Sequence, residues 1–252
     1  MNRTVTSVAI AQPTFLPWLG WMDLADQVEL LIILDSVPFS KQSWQQRNRL
    51  RTHDGLSYVT VPVRSSGRLG QRIDDVEIAS MAFVEKLIRT VAQNYSHARY
   101  FEPLFSEFSA VLRRGASSGK LADLNCGLIE WMMERLGIET RRVRSSELGV
   151  EGKRGELVAG LCKHVGAKYY VSPAGAEDYL IEDRGEFDAR DVSIRLQVYE
   201  HPIYRQCFEP FMPYASTLDL LLNVGDSASS ILRSGRRPGR QLSRVEGGAI
   251  HG

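Results

Sequence analysis

Residues 8–39, "VAIAQPTFLPWLGWMDLADQVELLIILDSVPF", decide the fold. Val5 to Ala11 reads as a strand, and Val28 to Leu34 as a second, almost wholly apolar one of the kind buried on both faces. Between them, Trp21 to Gln27 has the pattern of a short amphipathic helix. Strand, helix and buried strand predict a parallel βαβ unit. Asp35 then falls at the carboxyl end of the second strand, where open α/β sheets place their ligands. The turn after the first strand is crowded with Pro13, Pro17 and Gly20 and with Phe15, Trp18 and Trp21. Such a corner is either a hydrophobic plug or a stiff platform for a ligand.

Downstream, "RNRLRT" and "LSYVTVPV" flank "HDG" and predict a β-hairpin. "RSSGRLGQR" is a basic loop, and "IDDVEI" reads as one more short strand. Apolar residues then recur at helical spacing through "MAFVEKLIRTVAQNYS", "YFEPLFSEFSAVLRRG" and "LADLNCGLIEWMMERLGI", the last ending near Gly137. "RGELVAGLCKHVG" predicts a helix, "KYYVSP" a strand, "VSIRLQVYEH" another strand, and "STLDLLLNVG" a helix capped by Ser216. The fold class is α/β: a mostly parallel Rossmann-like sheet with a β-hairpin and a helical insertion at about 81–148, all within one domain over residues 1–225. Residues 226–252, rich in Ser, Gly and Arg, read as a solvated, partly disordered tail.

Composition narrows the function. The 252 residues carry Lys+Arg 31 against Asp+Glu 30, a net charge of +1, so no broad basic field exists to hold nucleic acid. No apolar run approaches the roughly 20 residues of a membrane span. Three cysteines, Cys126, Cys162 and Cys207, lie far apart without metal or disulfide spacing. The reading is a reduced, soluble, cytoplasmic protein. No P-loop appears and no GxGxxG follows a strand, so no cofactor is assigned; no metal site is expected either.

The segments "QPTFLPWLGW", "DSVPFSKQSWQQRNRLR", "VTVPV" and "HPIYRQCFEPFMPYASTLDLLLNVG", in this order, resemble the WbqC-like family, met mainly in bacterial gene clusters for O-antigen and other surface polysaccharides. The matching positions include Gln12, Phe15, Gly20 and Trp21, then Asp35, Lys41, Trp44, Arg47, Asn48 and Arg49, then Gly175 and Tyr179, and finally His201, Tyr204 and Gln206. The resemblance implies work on activated sugars, with transfer of an acyl or aminoacyl group to an amino sugar or related amine. A looser likeness links "PTFLPWLGW" to the "TFDPIHLGH" turn of HIGH-type nucleotidyltransferases, but both histidines are replaced here.

Candidate roles follow. Gln12, Phe15, Trp18 and Trp21 form the platform, with an indole to stack on a sugar or base. Lys41, Trp44, Arg47, Asn48 and Arg49 would grip phosphate or carboxylate, unless they are simply a wet face. In a strand, Arg47, Arg49 and Arg51 share one side and Asn48 the other. Asp35 is either a general base or the partner of an arginine, and His201 either the proton acceptor or a structural histidine. Tyr204 and Gln206, two apart, would share a strand face toward the ligand. Gly175 in "SPAGAEDYL" belongs to a nest of backbone N–H groups at a helix start, a natural anion site. The partner is a small molecule bearing phosphate or carboxylate. A non-catalytic nucleotide-sugar-binding scaffold is a second class, and a degenerate HIGH-type nucleotidyltransferase a third. The proline-aromatic corner, the arginine-bearing strand and the segment from His201 to Gln206 are expected to converge on one cavity.

Overall fold

The computed structural model describes residues 5–242. Its elements are β1 (Ser7–Ala11), α1 (Leu19–Asp26), β2 (Leu30–Ile33), β3 (Arg47–Thr52), β4 (Gly55–Thr60), α2 (Ala82–Tyr95), α3 (Phe101–Ala116), α4 (Leu121–Arg135) and β5 (Arg141–Arg144). They continue as α5 (Arg154–His164), β6 (Tyr169–Pro173), α6 (Glu177–Glu182), α7 (Arg184–Asp188), β7 (Ser193–Tyr199), α8 (Thr217–Val224), α9 (Ala228–Ser234) and β8 (Arg236–Gln241).

Six strands form the main sheet in the order β5-β2-β1-β6-β7-β8. All neighbours are parallel except β7 and β8, and β3 and β4 make a separate antiparallel hairpin. The strand period divides the core. Ala9, Leu31 and Ile33 face a cluster with α1, the α2–α4 block and α8, whereas Val8, Ile10, Leu30 and Ile32 face α5 and α7. Both faces of β1 and β2 are therefore covered, which is why their sequences are so apolar. The sheet is Rossmann-like, and the chain leaves β1 in two directions: β2 and β5 on one side, β6 and β7 on the other.

Local signals work as read at two helix ends. The N–H of Gly137 (φ 63°) reaches the carbonyl of Glu134 at 3.1 Å and that of Ile138 reaches Met133 at 2.9 Å, a left-handed glycine closing α4. Ser216 Oγ accepts from the Leu218 N–H at 3.2 Å at the start of α8.

Four expectations change. The insertion does not stay helical to 148, because Arg141–Arg144 forms edge strand β5, paired to β2. "IDDVEI" is a 3-10 turn at Ile73–Asp75 followed by isolated bridges, held by buried Ile73, Val76 and Ile78. The stretch bearing Tyr204 and Gln206 is not a strand, since β7 ends at Tyr199. The presumed tail supplies α9, tied to the body by an ion pair from Arg233, and β8, tied by ion pairs from Arg236, Arg237 and Arg240. Pro238 lacks an N–H, and the β7–β8 register shifts where it sits. Arg244 and the rest of that tail lie outside the described residues. Among the described residues, no helix is long and apolar enough to cross a membrane.

Candidate functional site

The proline corner is held by more than its prolines. Leu16 adopts φ 46°, a left-handed conformation that a leucine avoids without support. Asn48 of β3 supplies that support. Its Nδ2 donates to the carbonyls of Phe15 (3.0 Å) and Leu16 (2.8 Å), and its Oδ1 accepts from the Arg49 N–H at 2.8 Å. From α4, Asn125 Nδ2 donates to Pro13 O and Gln45 O, both at 2.8 Å. Backbone bonds then join three distant segments: Phe15 N–H to Trp44 O, Thr217 N–H to Pro17 O, and Ser216 N–H to Arg49 O, at 2.8–2.9 Å. Corner, hairpin and the entry to α8 are one assembly.

A cavity of about 370 Å³ opens where they meet, lined by Thr14, Trp18, Trp21, Trp44, Asn48, Arg49 and Tyr214. Trp18 lies directly over Gly20, where any Cβ would overlap its indole ring. That contact explains the glycine in α1: the close approach it permits is to the chain's own tryptophan. Trp18 is also edge-on to Tyr199 at 5.9 Å, tilted against Tyr214 at 5.7 Å, and near-parallel to His201 at 6.4 Å. Tyr214 itself sits at φ 66°, a second non-glycine residue held in the left-handed region.

The cavity carries positive charge. The Arg49 guanidinium rests 5.4 Å from the Trp44 ring and donates through Nη2 to Tyr214 O at 3.3 Å. Among the described residues it has no ion pair, and no carboxylate lines the cavity. Arg49 Nε and Trp21 Nε1 are buried without an acceptor. Both atoms lie beneath the cavity surface, so a ligand oxygen reaches them only when the side chains shift.

Of the residues read from the sequence, Trp18, Trp21, Trp44, Asn48 and Arg49 come together here. Asn48 lines the cavity but spends its amide on the corner, so it positions rather than binds. Phe15 is core, 1% exposed. Arg47 stacks on Tyr58 at 4.7 Å, and Lys41 is exposed away from the cavity. Arg51 does not share a wet face with its neighbours: it is 1% exposed, lies 5.6 Å from the Phe208 ring, and donates to Pro210 O at 3.1 Å. Gln12 lies on the far side of the corner, its Oε1 accepting from Gln45 Nε2 at 2.8 Å. Gly175 stands in a 3-10 turn before α6, with nothing within 4 Å of a would-be Cβ. Glu177 and Asp178 fill the first turn of that six-residue helix, which suits it poorly to an anion.

Asp35 is fully buried and occupied. It accepts from Arg144 Nε (2.5 Å), Ser145 Oγ (3.1 Å), Ser146 N–H (3.0 Å) and Ser146 Oγ (3.0 Å). A carboxylate with four donors has no lone pair left for an acceptor amine, so the salt-bridge role fits the geometry and the general-base role does not. Tyr204 and Gln206 do converge, but inward: Tyr204 Oη and Gln206 Nε2 donate to buried Asp219 at 2.7 and 2.9 Å. Burial pushes the Asp219 carboxyl up, against hydrogen bonds from Tyr204, Tyr95 and Gln206 that draw it down.

His201 packs behind the cavity wall, between Trp18, Tyr204, Phe211 and Tyr214. Its Nδ1 lies 3.0 Å from Pro202 O, and a carbonyl only accepts, which assigns the proton to Nδ1 and the lone pair to Nε2. That Nε2 is buried without a partner. Burial lowers the imidazole pKa below 6.5, opposed by the bond to Pro202. Burial pushes the Cys207 thiol to about 11 and those of Cys126 and Cys162 to about 12, so none is a ready thiolate.

Sequence reasoning missed Thr14, Tyr214 and Asn125. Thr14 stood in the quoted corner and Tyr214 in "FMPYASTLDL", but neither type advertises a site. Asn125 was hidden inside a helical stripe.

Residues 12–231 match the model of the WbqC-like protein family. The chain is 34% identical over 229 residues to the "Uncharacterized protein Rv1507c" of Mycobacterium tuberculosis (strain ATCC 25618 / H37Rv), covering 90% of this chain and 97% of that one. No solved structure matches the chain.

Proposed function

The chain belongs to the WbqC-like protein family, and on that premise and the chemistry of the cavity we propose that it is a transferase moving an acyl or aminoacyl group onto an amino sugar or related amine. The observation that carries this reading is the aromatic cavity with one uncompensated guanidinium. Trp18 and Trp44 offer flat faces for a sugar ring, and Arg49 offers a charge-assisted grip on phosphate or carboxylate. The cavity's size suits a sugar phosphate rather than a polymer.

In the proposed step, the substrate amine attacks the carbonyl carbon of an activated acyl donor. A C–N bond forms and the bond from carbonyl carbon to leaving group breaks. The amine proton passes to His201 Nε2, once the Trp18 or Tyr214 ring in front of it swings aside, and then to the leaving group. A neutral imidazole with a free Nε2 is the protonation state this role requires.

A second reading, a non-catalytic nucleotide-sugar-binding scaffold, is favoured by a different observation: among the described residues no nucleophile–base pair lines the cavity. Mass spectrometry separates the two. Incubation with nucleotide-linked amino sugars and acyl thioesters should give a product heavier by the acyl group, lost in Arg49→Ala and His201→Ala. Binding with no mass change across the panel would establish the scaffold, and full turnover by both variants would sink the assigned roles.

A further inference from the structure

A second cavity, of about 520 Å³, lies at the carboxyl ends of β1 and β6 on the α5 side of the sheet. This is the point where the chain leaves β1 in opposite directions, and open α/β sheets bind ligands in the crevice such a reversal creates. Gln12, just past β1, and Ala176, just past β6, both line it. Its walls are apolar, with Leu34, Leu157 and Val158 among them, and Tyr179 stands at its rim with 58% of its surface exposed.

Charge separates this cavity from the first. Among the described residues its one cation, Arg154, is matched by Glu182 at 2.8 Å and Asp183 at 3.7 Å. The start of α5 is also closed, since Asp183 Oδ2 accepts the Gly155 N–H at 3.0 Å. No place remains there for a phosphate, whereas an uncharged ring with hydroxyl groups fits apolar walls beside an amide and a carboxylate.

The two cavities flank one turn. Gln12 lines the second and Thr14 the first, two residues apart and thus within about 7 Å. Gln12 is exposed at the crossing. We infer that the second cavity holds the nucleoside of a nucleotide-linked sugar whose diphosphate crosses the Gln12–Thr14 turn and whose sugar and negative charge reach Arg49. This rests on the first cavity being the sugar-phosphate site. The base lies against Tyr179 and the apolar wall, and the ribose faces Gln12 and Asp183.

Equilibrium dialysis of the full chain against the common nucleoside 5′-diphosphates, and separately against glucosamine 1-phosphate, tests the assignment. At least one nucleoside diphosphate should bind. Val158→Trp, which fills the second cavity, should weaken it about tenfold or more, and Tyr179→Ala about tenfold through lost stacking. Neither change should alter glucosamine 1-phosphate affinity, whereas Arg49→Ala should weaken both ligands. Tyr179→Ala removes an exposed ring and so decides the matter should Val158→Trp not fold. Nucleoside diphosphate binding undiminished in the folded variants, or absent from a wild type that takes the sugar phosphate, overturns the second site and leaves the first standing. A wild type that binds nucleoside diphosphate but never the sugar phosphate removes the first instead, and one that binds neither removes both.

Discussion

Two groups of arginines in this chain solve the problem of a fixed positive charge in opposite ways. On β3, Arg47 lies over Tyr58, Arg49 over Trp44 and Arg51 over Phe208, each guanidinium steadied by a ring. Near the C-terminus, Arg233 and Arg236 pair with Asp26, Arg236 also with Asp23, Arg237 with Glu200 and Arg240 with Glu177. A ring orients a cation without neutralising it, so Arg47 and Arg49 keep their charge for something outside the protein, while buried Arg51 spends its own on internal carbonyls. A carboxylate both orients and neutralises, so the C-terminal group fastens the last helix and strand to the body. The same residue type therefore marks a ligand site in one place and a clasp in the other, and the partner decides which.

The sharpest attack on this contrast is Arg51→Ala, because Arg51 is the member of the β3 group with no access to solvent. It should cost about 3 kcal/mol in denaturant unfolding, through lost packing and unmet carbonyls. A loss under about 1 kcal/mol would return Arg51 to the ligand-facing set. Arg49→Ala should change stability by about 1 kcal/mol or less yet reduce sugar-phosphate affinity about tenfold to hundredfold, measured by calorimetry. Arg236→Ala removes the cation facing Asp23, which is 0% exposed and keeps Gln27 and Gln197 as donors, and should cost about 2 kcal/mol, less than a fully buried pair because the guanidinium is 32% exposed.

Acid titration sharpens the contrast further. Burial raises the Asp26 carboxyl, but hydrogen bonds from Arg233 and Arg236 outweigh it and hold its pKa below 3.8. A depressed folded pKa contributes stability that is complete above the unfolded value and is lost as pH falls through the folded one. Between about pH 5 and pH 3, wild type should therefore lose more stability than the Arg233→Ala/Arg236→Ala double variant. Parallel unfolding curves would discard the clasp. The smallest effect belongs to Arg237→Ala, whose pair with Glu200 is solvent-exposed: about 0.5 kcal/mol or less by thermal unfolding.

The legible parts of the fold were those whose burial imposes a pattern. β1 and β2 are covered on both faces and read as apolar runs, while α2, α3 and α4 each pack one side and read at helical spacing. β5 and β8 escaped because an edge strand needs only backbone partners, so "RRVR" and "RRPGRQ" carry no alternation to detect. At the site, the corner and the hairpin were visible as unusual clusters of proline, tryptophan and arginine. Their individual roles were not. Asn48 and Asp35 have the side chains of ligand contacts, and only the positions of Leu16 and of Ser145 and Ser146 reveal that each is fully engaged within the protein. Tyr204 and Gln206 kept their shared direction, but the coil carrying them turns that direction toward Asp219.

Among the described residues, β5 and β8 are the two margins of the main sheet, and they share a dressing. Arg141 and Arg142 stand exposed along β5, and β8 presents arginines with Pro238 and Gly239 between them. A free strand margin is a template on which another copy can lengthen the sheet. Here the long arginine side chains must be cleared before another strand can pair with either margin, and the proline denies one of them a backbone donor. Both features oppose end-to-end pairing, and one of them would vanish in a chain shortened before Arg236, which would lay bare the hydrogen-bonding edge of β7.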